Sequence, residues 1–405
     1  MILYVWRRIG VKICGIVAEY NPFHNGHQFL IEQARKAGAT HVVAVMSGNF
    51  VQRGEAAVFS KWARTRACLE NGVDLVIELP VFAALSPAPD FARISIRLLH
   101  ELGVQMLSFG SECGDVQRLR EVLKCCRKVE QTVPFRTMVY RGTSPMQARE
   151  QLVAKTFGEE MAAVLREPNN ILGLEYMRAL SDVKPHIEPF TVGRAGVAHD
   201  STEANGRFAS ASLLRKMLME QGVSSIRDYV PSSAYAIYEQ EIAQGKAPCR
   251  TDALDSALCY RLRTTTAKEL RRTAGIVDGL EHRILEVGKT ALSMEECVEQ
   301  VCTKQYTKAR IRRILLNFLL NIEQFYCPKE PEYIRVLGAN ERGLEVLHEA
   351  LIPSDLWIAP KFADIYSKKV ISSQMEARAT DVYSMCSPVW QPRGREFTEQ
   401  VCILK

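Results

Sequence analysis

The chain has 405 residues, too many for one ordinary core, so two or three domains are expected. Hydrophobic residues make up 47% and charged residues 24%, which excludes a disordered or low-complexity chain. The formal net charge of +6 permits a polyanionic partner without demanding one.

The N-terminal M-I-L-Y-V-W-R-R-I-G carries its charge behind a short apolar stretch, the reverse of a secretory signal, and reads as a tail. Residues 12–18 (K-I-C-G-I-V-A) predict a buried strand. Residues 26–37 predict a helix, with Phe29, Leu30, Gln33, Ala34 and Ala37 at helical spacing. H-V-V-A-V-M at 41–46 predicts a second strand. Residues 60–70 predict a helix capped by Ser60 and ended by Asn71-Gly72. A third strand is expected at 73–79, closed by Pro80. A helix is expected at 88–102, ended by Gly103, then a fourth strand at 104–109 and a helix carrying Leu119 and Val122. Residues 130–168 are more polar and read as a helical elaboration. A fifth strand is expected at 187–192 and a helix at 210–221. From about 225 the pattern is mainly helical and rich in Arg and Lys. The expected division is therefore a catalytic domain at 1–225 and a helical, basic domain at 226–405.

This alternation specifies an α/β fold, a parallel sheet with helices on both faces. Ligands in such sheets bind at the C-terminal ends of the strands. The 12 cysteines include no C-x-x-C pair, and no histidine pair follows Cys297 and Cys302 at finger spacing. A reduced, cytoplasmic protein without structural metal is expected. No apolar run of about 18 residues occurs, so neither a membrane span nor a membrane partner is expected.

The first strand runs into E-Y-N-P-F-H-N-G-H at 19–27, and a helix follows. Glycine lets backbone approach a phosphate, and a helix N-terminus offers N–H groups and a positive dipole end. His24 and His27 can then donate to phosphates as charge shifts toward a leaving pyrophosphate. The competing readings are two surface histidines in a turn or half a metal site. The motif contains no third ligand, so no metal is expected there.

The strand, H-x-G-H and helix resemble the nucleotidyltransferase superfamily that includes class I aminoacyl-tRNA synthetases. The longer V-A-E-Y-N-P-F-H-N-G-H is similar to the bacterial tRNA(Met) cytidine acetate ligase family. Further blocks match in order: S-G-N-F-V-Q-R-G-E at 47–55, F-S-K-W-A-R at 59–64 and G-V-D-L-V-I-E-L-P at 72–80. F-G-S-E at 109–112, P-N-N-I-L-G-L-E-Y at 168–176 and F-A-S-A-S-L-L-R at 208–215 follow. The resemblance implies a Rossmann-like nucleotidyltransferase sheet followed by a mainly helical C-terminal domain. It implies ATP-dependent activation of acetate to acetyl-adenylate, then acetyl transfer to the N4 amine of the wobble cytidine of elongator tRNA(Met), giving N4-acetylcytidine. ATP is the implied nucleotide, with Mg2+ expected to accompany it. The implied ATP contacts are Val17, Ala18, Glu19, Tyr20, Asn21, Pro22, Phe23, His24, Asn25, Gly26, His27, Gln28, Phe29 and Leu30, with Gly110, Asn169 and Arg194.

Ser210, Ser212 and Arg215 resemble the superfamily's second phosphate motif loosely, as A-S-A-S-L-L-R: hydroxyls at a helix start, then an arginine. With His24 and His27 they form the candidate catalytic set. I-S-S-Q-M-E-A-R at 371–378 is set aside because its arginine comes one residue late. Lys61 or Arg64 is expected either to orient acetate or tRNA phosphate or to sit on a solvated helix face. Asp74 and Glu78 read as strand-end caps. Acetate is already an anion at neutral pH, so activation calls for charge neutralisation and in-line positioning rather than a base.

Two basic stretches supply a tRNA surface. One holds Arg261, Arg263, Lys268, Arg271 and Arg272; the other holds Lys304, Lys308, Arg310, Arg312 and Arg313, with Tyr306 placed to stack. The candidate tRNA contacts are Arg271, Arg272, Lys304, Lys308, Arg310, Arg312 and Arg313. Alternatives left open are acetylation of a protein thiol, a small-molecule nucleotidyltransferase, and a non-enzymatic RNA-binding protein.

Overall fold

The computed structural model describes residues 10–183, 187–193, 206–303, 305–350 and 354–405. Arg194 and Lys304 lie outside the described residues. β1 (Ile13–Ala18) leads into α1 (Asn25–Lys36), and β2 (His41–Ser47) leads into a hairpin of β3 (Phe50–Val51) and β4 (Glu55–Ala56). α2 (Lys61–Leu69) precedes β5 (Leu75–Leu79), and a helix at Ala88–Glu101 precedes β6 (Met106–Ser111). β7 is Glu188–Gly193. β8 (Tyr333–Ala339), β9 (Trp357–Ala359) and β10 (Cys402–Ile403) come from the far end of the chain. The predicted elements of the first half all form, with shifts only at their ends.

β2 and β5 are buried at every position, as strands covered on both faces must be. Each fully buried aliphatic side chain contributes about 1.5–3 kcal/mol by leaving water. The order across the sheet is β10-β8-β5-β2-β1-β6-β7, with β9 beside β8. β1 pairs in parallel with β2 on one side and β6 on the other. The chain thus winds outward through β2 and β5, returns past β1, and winds the other way through β6 and β7. That reversal leaves a crevice beyond the C-terminal ends of β1 and β6.

Residues 130–168 contain the helices Val133–Tyr140, Pro145–Phe157 and Glu159–Ala163. The chain after 226 is mainly helical, as expected. The line drawn at 225 is nevertheless crossed by the sheet. β8 pairs antiparallel with β5, Leu75 opposite Ala339 and Val76 opposite Gly338, and β10 pairs in parallel with β8. One core runs from Val45 and Leu75 to Val336 and Met375. An edge strand as apolar as β5 needs a partner, and β8 supplies it. Among the described residues, no helix is long and apolar enough to cross a membrane.

Candidate active site

A cavity of about 290 Å3 occupies that crevice. Its floor is the end of β1 (Val17, Ala18), the end of β6 (Phe109, Gly110) and the end of β7 (Val192, Gly193). Glu19, Tyr20, Asn21, His24, Gly26, His27, Phe29 and Leu30 form one wall, and Phe208, Ser212 and Arg215 face them. Asn169 completes the rim. The two phosphate-type motifs, far apart in sequence, therefore meet across one cavity. Of the loop positions, Pro22, Phe23, Asn25 and Gln28 are not among the lining residues. Phe23 is core, and Asn25 Nδ2 donates to the carbonyls of Arg207 at 2.9 Å and Asp228 at 3.0 Å.

His24 caps α1. Its Nδ1 accepts from the Gly26 N–H at 3.0 Å, and its own N–H donates to His27 Nδ1 at 3.3 Å. Both Nδ1 atoms act as acceptors, so the proton of each neutral ring sits on Nε2. The rings stack, with centroids 3.7 Å apart. Gly26 is required here: a Cβ would fall 2.9 Å from His24 Cε1 and 3.0 Å from its Nδ1. Tyr20 adopts a positive φ of 49°, which L residues rarely take, and its ring packs edge-on against His27 at 4.9 Å. Burial in the cavity wall pushes the Glu19 carboxyl above its usual range, and Glu19 Oε1 accepts from the Gln52 N–H at 2.9 Å.

Ser210 caps the helix Ala211–Gln221, accepting from the Leu213 N–H at 3.1 Å. It is buried, and Ser212 is the hydroxyl of that motif that lines the cavity. Arg215 donates to the Asn21 carbonyl at 3.0 Å and so ties the second motif to the first. Glu112, from F-G-S-E, caps the helix Pro168–Leu180: it accepts from the Asn169 N–H at 3.2 Å and the Asn170 N–H at 2.8 Å. It also accepts from Asn169 Nδ2, fixing the Asn169 amide at the rim. Sequence reasoning assigned Glu112 no part. It also gave no part to Gln52 or Tyr176, both of which line the cavity.

Lys61 and Arg64 correct the sequence reading, because both are fully buried and neither is on a solvated face or open to acetate or tRNA. Lys61 Nζ lies 2.5 Å from Glu78 and 4.0 Å from Glu376, and approaches Glu396 closely. Burial alone would push this ammonium down, but the carboxylates outweigh it and hold it above its usual value. Burial pushes Glu376 well above the ordinary carboxylate range, with Glu78 adding to the rise. Glu78 thus belongs to a buried ion cluster rather than to a cap. Arg64 spans the loop ends, donating to the carbonyls of Phe59 at 3.0 Å, Glu19 at 2.5 Å, Ser47 at 3.0 Å and Gly48. It holds the ends of β1 and β2 in register under the cavity. Asp74 does cap, accepting from the Val42 N–H at 2.7 Å and from Arg35 at 2.5 Å. In the stretch set aside at 371–378, Arg378 donates to the Leu320 carbonyl at 2.9 Å.

The basic residues divide. Lys308 lies 3.1 Å from Glu299, and Arg312 lies 2.6 Å from Glu295, a ladder between the helices Lys308–Leu319 and Met294–Val301. Arg272 lies 2.7 Å from Glu323, and Arg271 pairs with Asp278. Arg313 is half-buried and turned inward: it donates to the Gln52 carbonyl at 2.9 Å, and burial pushes it down to about 10. Arg310 covers the Tyr306 ring at 5.0 Å from its centroid. Lys308, Arg271 and Arg272 remain half-exposed.

The HIGH Nucleotidyl Transferase family model matches residues 11–397. The tRNA(Met) cytidine acetate ligase of Acetivibrio thermocellus is 34% identical, covering 97% of this chain and 100% of that protein. That of Caldanaerobacter subterraneus is 37% identical over 93% of this chain and 95% of its own length. The chain belongs to the tRNA(Met) cytidine acetate ligase family. A crystal structure of Thermotoga maritima TmcAL without ligand superimposes with a TM-score of 0.90 at 31% identity, over 97% of this chain and 100% of that one. A second, of the same Thermotoga protein bound with alpha-thio ATP, gives 0.88 at the same identity and coverage. For a ligase of this family, the H-x-G-H loop and the serine–arginine helix enclose one nucleotide-sized cavity.

Proposed function

We propose that this chain activates acetate with ATP to give acetyl-adenylate and pyrophosphate, then moves the acetyl group to the N4 amine of the wobble cytidine of elongator tRNA(Met). The observation that carries the reading is the joining of both phosphate-type motifs across one cavity at the switch point. The relatives' names support the tRNA acceptor over a protein thiol or a phosphorylated small molecule. The α-thio ATP held by the Thermotoga protein supports ATP as the nucleotide.

In this reading the adenosine passes over Gly110 and meets the Asn169 amide, which both donates and accepts. The triphosphate crosses the N-terminus of α1. The Nε2–H groups of His24 and His27 meet the phosphates, and Arg215 and Ser212 approach from the facing helix. An acetate oxygen attacks the α-phosphorus in line, the bond to the β-phosphate oxygen breaks, and pyrophosphate leaves. Acetate brings its own negative charge, so the protein's work is positioning and neutralisation. Magnesium enters as part of the substrate MgATP. Among the described residues Glu19 is the carboxylate lining the cavity, and the Glu78–Glu376–Glu396 group is filled by the Lys61 ammonium. In this reading the ion arrives on the nucleotide phosphates with its waters.

The test is acetate-dependent exchange of labelled pyrophosphate into ATP, followed by mass analysis of the wobble cytidine. Exchange with a phosphorylated small molecule and none with acetate would refute the reading.

A further inference from the structure

A second cavity lies on the other side of the β3–β4 hairpin. Its volume is about 370 Å3, and Glu55, Met219, Asp252, Asp255 and Glu295 line it. Arg215 lines both cavities. One side of that guanidinium donates to the Asn21 carbonyl, and the other lies 3.8 Å from Glu55 Oε2. Glu55 Oε1 in turn lies 3.7 Å from Arg312. The wall between the cavities is therefore a carboxylate between two arginines.

The helix Lys308–Leu319 pins this wall. Gly54 sits at the hairpin turn with φ of 79°, and a Cβ there would fall 2.6 Å from Arg312 Cβ and 2.7 Å from the Arg313 nitrogen. The hairpin backbone is thus pressed onto the helix, and Glu55 is aimed from it at Arg215.

The second cavity differs chemically from the first. Its lining sets four carboxylates, Glu55, Asp252, Asp255 and Glu295, among Arg215, Lys216, Arg250 and Arg312, so acceptors for an amine stand beside cations for a phosphate. Asp255 accepts from the Met294 N–H at 2.8 Å, and Asp252 pairs with Arg250. Exposed Lys216 and Arg250 border it, placed for a nucleic-acid backbone outside. Its size falls in the range of small-ligand pockets.

Resting on the acetyl-transfer reading above, we propose that this cavity receives the acceptor cytidine base, with Glu55 accepting a hydrogen bond from its N4 amine. Carboxylates are the natural partners of the cytosine amine. Uridine would present its O4 acceptor to the same carboxylate, with no proton between them, and is excluded. In the transfer step N4 attacks the acetyl carbonyl carbon. The bond from that carbon to the AMP phosphate oxygen breaks, AMP leaves, and N4 sheds one proton, which Glu55 takes. Arg215, shared by the two cavities, lies where the departing phosphate gains charge.

The experiment compares two rates in one preparation: acetate-dependent pyrophosphate exchange and acetylation of tRNA(Met). In Glu55→Gln the ratio of transfer to exchange falls by about a hundredfold, the scale of a lost proton acceptor. Met219→Trp fills the cavity from the opposite wall and lowers the same ratio, which guards against a folding defect at position 55. A drop in the ratio of less than about tenfold in both variants overturns the assignment. So does a parallel fall of both rates, which marks Glu55 as a support for Arg215 only. If the wild type exchanges pyrophosphate but leaves tRNA unacetylated, the functional reading fails and this inference with it. If the wild type acetylates tRNA and the variants keep its ratio, the inference alone fails.

Discussion

Gly26→Ala separates catalysis from folding. The added methyl would stand 2.9 Å from His24 Cε1, and that ring cannot simply turn aside. It is buried and stacked 3.7 Å from the His27 ring. The ring must shift, and the 3.0 Å bond from the Gly26 N–H to Nδ1 is lost. Losing a cap costs about 1 kcal/mol, and Gly to Ala within a helix returns about 1 kcal/mol. The two cancel, so thermal stability should stay nearly constant. The transition state loses one oriented donor, worth about 2.7–4 kcal/mol where such donors have been removed. Pyrophosphate exchange should therefore fall by about 100-fold or more, mostly in kcat. Exchange within about twofold of the wild type would refute the role given to the His24 ring. A collapse of stability in step with activity would refute the cancellation.

Lys61→Met leaves three carboxylates buried together and should cost about 3–5 kcal/mol, read by chemical denaturation. The pH dependence has a definite sign, since Glu376 is already raised above its unfolded value. Its contribution is full below the unfolded carboxylate pKa and is lost as pH rises through the folded one, so the variant should be most stable in acid. Glu112→Ala releases the Asn169 amide and should raise the KM for ATP more than it lowers kcat; an unaltered KM would sink that link. The triple variant Lys308→Ala, Arg271→Ala, Arg272→Ala should weaken tRNA binding. It should also flatten the dependence on salt by about 0.7–0.9 for each phosphate no longer neutralised, while leaving exchange without tRNA intact. An unchanged salt slope would remove those residues from the tRNA surface.

The catalytic half was legible because its strands are short apolar runs and its helices carry caps nearby in sequence. The H-x-G-H loop could be placed because a strand precedes it and a helix follows. What escaped was set by distant partners. F-S-K-W-A-R looks like a charged helix start, yet the Glu396 carboxylate that meets Lys61 lies 335 residues away. The run K-A-R-I-R-R reads as free charge until Glu295 and Glu299, on a neighbouring helix, are placed opposite it. The β3–β4 hairpin has two-residue strands, too short to show alternation. β8 is a readable apolar run, but nothing local says that it pairs with β5.

That pairing bears on how the protein is made. Until the ribosome has synthesised β8, β5 keeps one edge open, and Lys61 waits with Glu78 alone for Glu376 and Glu396. The short helix Arg395–Thr398 carries Glu396, and β10 after it adds the outermost strand. The ATP-side half should therefore not survive as an isolated fragment cut at 225. The nucleotide cavity and the basic helices are obliged to mature together, as one cooperative unit completed only once β10 has joined β8.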